Sequence, residues 1–141
     1  MRARSRGRRF LLQCRYASQL NGEDTLSNLD ALGISERLAL DTVNWVTSLA
    51  GFIDSNREEI DGSIEKTLQN WTLERLNILT RLILEQAVAE CWFMDIPPSV
   101  ATDEALRLAS EFEGPEAPGF INGILDSILF DGNTEDGSPD G

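Results

Sequence analysis

Residues 72–98 read TLERLNILTRLILEQAVAECWFMDIPP and decide the fold. Apolar side chains recur here at the spacing of one face of an α-helix: Leu76, Leu79, Ile83, Ala87 and Met94. Thr72 is a residue type that caps helix N-termini, and Pro97-Pro98 must stop the helix because proline lacks the backbone donor. The stretch therefore predicts a long helix that starts near Thr72 and buries one face.

Five further helices are predicted on either side of this one. Asn56, with Glu59 three residues on, has the residue types of a capping box and opens a helix that ends near Trp71. Apolar spacing places three others at about 10–20, 35–53 and 99–112. No run alternates apolar and polar residues for long enough to form a strand. The sequence predicts an all-α protein of about seven helices.

The last predicted helix starts near Pro118 and is expected to bury Phe120. Gly123 inside this helix lowers its propensity, so we expect a neighbouring helix to approach closely there. Residues 131–141 are rich in Gly, Asp, Ser, Pro and Asn and predict a disordered acidic tail. The predicted organisation is a flexible arm over residues 1–9, one helical domain over 10–130, and the tail.

Composition argues against most catalytic and metal-binding classes. The 141 residues include no histidine, the commonest metal ligand and general base. Cys14 and Cys91 are too far apart for a zinc framework or a CxxC pair, and are expected to pack as small hydrophobic residues. Phosphate-loop, HExxH and GxSxG motifs are absent from the sequence. We expect a cytoplasmic protein that is not an enzyme, binds no cofactor or metal, and does not span a membrane.

The charges are divided unevenly along the chain. The first 15 residues hold six arginines and no acid, a charge of +6, whereas the other 126 residues hold six basic and 24 acidic side chains, a charge of −18. The six are Arg2, Arg4, Arg6, Arg8, Arg9 and Arg15. Guanidinium groups donate two hydrogen bonds to a phosphate, and Tyr16 could stack on an unpaired base. The cluster predicts a local contact with a short single strand of nucleic acid.

Other interpretations of the arginine-rich start stay open. It could be a frayed, solubilising terminus, or it could dock on the acidic body of the same chain. A targeting segment is disfavoured because the apolar run Phe10-Leu11-Leu12 is too short for a signal peptide. Glu90 lies beside the apolar stripe. Its carboxylate is expected either to pair with Arg81 or a helix N-terminus, or to remain solvated at the edge of the stripe.

Several linked motifs resemble NusB-type transcription antitermination factors. Residues 70–76 (NWTLERL) resemble the family's NW-x-L-x-R-L segment, and residues 120–126 (FINGILD) are similar to its FVNGVLD segment. Residues 4–16 resemble its arginine-rich first helix. The order and spacing match across 54–129, whereas residues 21–52 are weakly covered.

The resemblance implies two packed helical bundles without catalysis or a cofactor. It implies binding of single-stranded boxA RNA of nascent ribosomal transcripts together with the ribosomal protein NusE, in a complex with RNA polymerase and other Nus factors. The family's RNA-binding positions are carried over to this sequence, and the remaining arginine of the first helix is added. The RNA-binding residues that the resemblance implies are then Arg4, Arg6, Arg8, Arg9, Arg15, Tyr16 and Glu116. The expected partner-binding residues are Tyr16, Thr80 and Glu85.

Three positions depart from the family pattern by losing positive or gaining negative charge: Glu85, Asp103 and Ser110. If they face RNA, the N-terminal arginines must supply more of the affinity; if they face NusE, the partner's surface has changed to match. The alternative function is a divergent helical adaptor that binds protein partners only. The chain is either a monomer or a homodimer formed through the surface that NusE would cover.

Overall fold

The computed structural model describes residues 2–69 and 72–131, and within these ranges the chain is helical without a strand. The all-α prediction is confirmed. Contacts divide the chain after Ser55 into two compact units. The first unit contains α1 (Ala3–Asn21), α2 (Thr25–Ala31), α3 (Ile34–Arg37) and α4 (Leu40–Ser55). The second contains α5 (Arg57–Glu65), a 3-10 turn (Leu73–Arg75), α6 (Ile78–Phe93), α7 (Pro98–Glu113), α8 (Ala117–Asp126) and a π-helical turn (Ser127–Asp131).

Helix α1 begins at Ala3, so the flexible arm predicted for residues 1–9 is helical from its third residue on. The reason is packing against α4. An added Cβ at Gly7 would lie 2.8 Å from Cγ2 of Val46 and 2.9 Å from Cγ2 of Thr42, so the two helices are in close contact there. Apolar spacing could not reveal this contact because glycine has no apolar side chain.

Replacing Gly7 by alanine is expected to lower the free energy of unfolding by about 1–2 kcal/mol. The added methyl group must push α1 away from α4, and this overpacking outweighs the ~1 kcal/mol that alanine gains in helix propensity. Gly51→Ala is the matched control, since Gly51 is a helical glycine of α4 with nothing within 4 Å of its added Cβ. Urea unfolding should show Gly51→Ala slightly stabilised; equal effects of the two substitutions would contradict the close contact.

Helix α2 was not predicted, and the helix predicted over 35–53 is broken in two. Asp24 caps α2 by accepting a hydrogen bond from the Ser27 N–H at 2.7 Å. Asn28 of α2 donates to Ser18 Oγ of α1 at 2.7 Å. Leu38 adopts extended backbone (φ −127°, ψ 151°) and separates α3 from α4. The apolar spacing continues across this break, which is why spacing alone merged the two helices.

Helix α6 is the centre of the second unit and packs on α5, α7 and α8. It is buried on all sides from Leu82 to Glu90, in place of the single buried face predicted. It starts at Ile78, not near Thr72, because the Asn77 side chain accepts from the Leu79 N–H at 2.9 Å. It ends at Phe93, before the prolines, where Asp95 takes a left-handed φ of 57° and the Ile96 N–H bonds to the Glu90 carbonyl.

The remaining helices follow the predicted order with shifted ends. Asn56 is at the N-cap of α5 as predicted, but α5 ends at Glu65. Helix α7 begins at Pro98, one residue before its predicted cap Ser99. None of the described helices combines the length and apolar content that crossing a membrane requires.

Helix α8 faces outward more than its sequence predicts. Phe120 is 46% exposed although it was expected in the core. An added Cβ at Gly123 would meet no atom within 4 Å in the described chain, so the expected close approach of a neighbouring helix is wrong. Of the predicted acidic tail, residues 132–141 lie outside the described residues.

Candidate nucleic-acid interface

The arginines of α1 are divided between two faces of the helix. Arg4 and Arg8 lie over the indole of Trp45 in α4, with guanidinium carbons 5.0 Å and 4.9 Å from the ring centroid. Both distances are within the range of cation–π attraction. Arg8 is only 4% exposed, whereas Arg6 on the other face is exposed. The sequence cluster is therefore not one uniform basic surface.

Arg6 and Arg9 face an open cleft in the first unit. Its volume is about 230 Å³, and it is lined by Arg6, Arg9, Phe10, Gln13, Arg37 and Leu38. Arg6 Nη2 donates to the Arg37 carbonyl at 3.4 Å, which holds α1 beside the end of α3. Three arginines thus line one cavity whose lining residues, all in the described part of the chain, include no carboxylate. Such a cleft suits an anion of phosphate size.

Arg37 was not predicted as a site residue. Twenty-two positions separate it from Arg15, and it belongs to the weakly covered stretch 21–52. One signal was available, since Arg37 is the only basic residue between positions 16 and 56. Its meaning appears only when the turn between α2 and α3 brings it next to α1.

The structure contradicts the prediction that Arg8 and Arg15 bind RNA. Arg15 is 2% exposed and Arg8 is enclosed against Trp45, so neither guanidinium is open to a phosphate. Tyr16 is half-buried, and Glu116 is exposed at the N-cap of α8. Tyr16 and Glu116 therefore remain predicted RNA-binding residues, and Tyr16 also remains a predicted partner-binding residue.

Thr80 and Glu85 are also corrected, because the structure buries both expected partner-binding side chains. Thr80 is 5% exposed and its hydroxyl donates to Glu113 Oε1 at 2.6 Å. Glu85 is 0% exposed, and its carboxylate lies 3.2 Å from Arg81 and 3.8 Å from Arg57. The charge departure at Glu85 is therefore internal, whereas those at Asp103 and Ser110 are at the surface.

Arg81 joins Glu85 to a second carboxylate, that of Asp61. Arg81 Nη2 lies 3.2 Å from Asp61 Oδ2. Among the described residues no donor reaches Asp61 Oδ1. Burial, followed by the neighbouring carboxylate of Glu85, raises the pKa of Asp61 from 3.8 to about 7 despite the opposing effect of Arg81. Glu90 is likewise buried, and Arg81, its expected partner, makes its ion pairs with Asp61 and Glu85.

Asp61→Asn is expected to stabilise the protein at pH 8 by about 1–2 kcal/mol and to have little effect at pH 4. Because the pKa of Asp61 is raised on folding, the folded state keeps a proton that the unfolded state has lost between about pH 4 and pH 7. Its contribution to stability therefore falls as the pH rises through this window. Urea unfolding at both pH values, with the exposed Asp103→Asn as control, tests this. A gain equal at pH 4 and pH 8 would contradict it.

The two cysteines are not reactive thiols at neutral pH. Cys14 is 0% exposed, and burial raises its pKa to about 11. Burial and the charge of Glu90 raise the pKa of Cys91 to about 11. Both free thiols behave as packed side chains, as their sequence context predicts.

Comparison with known proteins agrees with this architecture. The family model of the NusB family matches residues 2–130. The transcription antitermination protein NusB of Clostridium botulinum is 32% identical over 139 residues, covering 89% of this chain and 99% of that protein. Its relationship to this chain thus extends over both helical units.

Two solved structures share the fold. NusB of T. maritima superposes with a TM-score of 0.84 at 28% identity, covering 89% of each chain. A chain in the crystal structure of the antitermination factors NusB and NusE in complex with double-stranded RNA superposes with a TM-score of 0.77 at 26% identity. That match covers 90% of this chain and 94% of the other.

Proposed function

Because the chain belongs to the NusB family, we propose that it is a transcription antitermination factor that binds RNA through the cleft between α1 and α3. The observation that carries this proposal is the convergence of Arg6, Arg9 and Arg37 on one cavity without a carboxylate. Arginine side chains that line one cavity can bind a phosphate by charge-assisted hydrogen bonds. The protein acts by binding and not by catalysis.

The RNA is single-stranded and of the boxA type found in nascent ribosomal transcripts. Residues 1–55 hold seven basic and six acidic side chains, whereas residues 56–141 hold five basic and 18 acidic ones. A long duplex needs a continuous basic track, which this distribution does not offer. Phe10 in the cleft supplies an aromatic ring on which an unpaired base can stack.

The protein partner is NusE. Support comes from the solved complex of a NusB with NusE and RNA, whose NusB-like fold this chain shares. Tyr16 is the expected partner-binding residue that remains accessible. RNA polymerase and other Nus factors join through this assembly, in the cytoplasm.

The proposal is tested by measuring RNA affinity with and without NusE. Fluorescence anisotropy is recorded with a short boxA-like RNA, a shuffled strand of the same composition, and a duplex containing the boxA-like strand. We expect the boxA-like single strand to bind most tightly and NusE to increase its affinity further. Equal affinity for the boxA-like and shuffled strands would overturn the RNA function. If NusE alone still bound, the protein-only adaptor would be the correct function; tighter binding of the duplex would overturn single-strand specificity.

A further inference from the structure

The local sequence at the start of α1 disfavours a helix. Its N-cap residue, Arg2, makes no side-chain capping bond in the described chain, and its first turn holds no acid. Cationic side chains at a helix N-terminus are unfavourable because the helix dipole is positive there. The five arginines between residues 2 and 9 also repel one another. An interaction outside α1 must therefore stabilise these first turns.

Trp45 supplies one such interaction. Arg4 and Arg8 are four residues apart, so their guanidinium groups lie on one side of α1, both about 5 Å from the same indole. Trp45 itself is 9% exposed and belongs to the buried face of α4. Gly7, between the two arginines, gives α1 its close approach to α4. Tryptophan is the best aromatic acceptor for a cation, and two cations share it here.

We propose that Trp45 is a positioning residue for RNA binding, and that Arg4 and Arg8 hold α1 in place without contacting phosphate. At about 100° per residue, Arg8 lies about 40° around the helix from Arg4, whereas Arg6 and Arg9 lie about 200° and about 140° away. Holding one face against Trp45 thus directs Arg6 and Arg9 into the cleft with Arg37. This inference rests on the proposed function and adds a division of labour among the arginines.

The contact of Arg4 and Arg8 with Trp45, called the stack below, increases RNA affinity by keeping the first turns of α1 helical in the free protein. If residues 3–9 were frayed, only a fraction of molecules would present Arg6 and Arg9 correctly, and the apparent Kd would rise by the inverse of that fraction. The phosphate contacts in the bound state would be unchanged. The salt dependence of binding counts those contacts, so it separates a positioning arginine from a phosphate-binding one.

The experiment compares Arg8→Gln with Arg9→Gln, two neighbouring substitutions of equal charge. Binding of the boxA-like RNA is measured at several salt concentrations, and amide exchange of residues 6–9, whose N–H groups make the first backbone bonds of α1, is followed in the free protein. Arg9→Gln should flatten the slope of log K against log[salt] by about 0.7, the value for one single-strand phosphate contact. Arg8→Gln should weaken binding by about three- to tenfold with an unchanged slope and reduced protection of residues 6–9. A slope reduced equally by both would overturn the proposal.

Substitutions of Trp45 provide the second readout. Trp45→Phe keeps a π face, and Trp45→Leu keeps only apolar volume, so affinity and amide protection should fall together from wild type to Phe to Leu. If Trp45→Leu does not fold, the double variant Arg4→Gln/Arg8→Gln serves in its place. Full protection of residues 6–9 in the substituted protein would refute the stack. Failure of wild type to bind any RNA would instead refute the proposed function, since the amide exchange still reports on the stack.

Discussion

Replacing Arg6, Arg9 and Arg37 together by glutamine is expected to weaken binding of a boxA-like RNA by about a hundredfold. The three guanidinium groups line one cleft, and each can donate a charge-assisted bond to phosphate. Loss of three phosphate contacts should also flatten the salt dependence of log K by about two. Fluorescence anisotropy titrations at a series of salt concentrations give both quantities.

The matched control for this variant changes the net charge by the same amount elsewhere. Lys66, Arg75 and Arg107 are exposed basic residues of the second unit, and their joint replacement by glutamine also removes three positive charges. We expect this control to bind within a few-fold of wild type and to keep the salt slope. If the two triple variants lost equal affinity, net charge and not the cleft would explain RNA binding.

Arg81→Met is expected to lower the free energy of unfolding by about 3–5 kcal/mol. Arg81 pairs with both Asp61 and Glu85 at 3.2 Å, and Glu85 is completely buried. Without Arg81, Glu85 keeps Arg57 at 3.8 Å, whereas Asp61 loses the cation that lies 3.2 Å from its Oδ2. Urea unfolding at neutral pH measures the loss. A pair whose arginine is exposed gives the comparison: Arg107→Met, beside Glu104, should change stability by no more than about 0.5–1 kcal/mol.

A double substitution separates burial of an unpaired charge from simple loss of packing. Arg81→Met combined with Glu85→Leu removes the buried acid together with its partner, so much of the stability should return. If the double variant were less stable than Arg81→Met alone, the ion cluster would not be the reason for the effect.

Helix positions were largely predictable, whereas helix ends and short helices were not. The spacing of Ile83 and Ala87 identified α6, and Pro118 correctly marked the start of α8. Helix α2 is only seven residues long, so it contains too few apolar positions for a helical repeat to be recognised. The Asn28 contact with α1 also stabilises it, and that contact is not visible in the local sequence. The 3-10 turn before α6 was missed because Leu73 and Leu76 continue the apolar pattern of the helix that follows it.

The candidate site was predicted as a region, but its members changed. A local excess of arginine without acid is a property of composition, and it correctly directed attention to α1. The motif positions Thr80 and Glu85 were expected at a partner surface because family motifs record position along the chain and not burial. In the structure they stabilise the interior of the second unit.

By itself, the sequence determined the helical class, the order of the long helices and the uneven distribution of charge, because each depends on residue type and on spacing within one segment. Tertiary structure alone decided which arginines are open to a phosphate. Burial against Trp45 removes Arg8 from the candidate site, and the chain turn at Gly33 adds Arg37 to it. Those contacts join residues more than 25 positions apart, and the charge pattern of one segment does not record which distant side chain will lie against it.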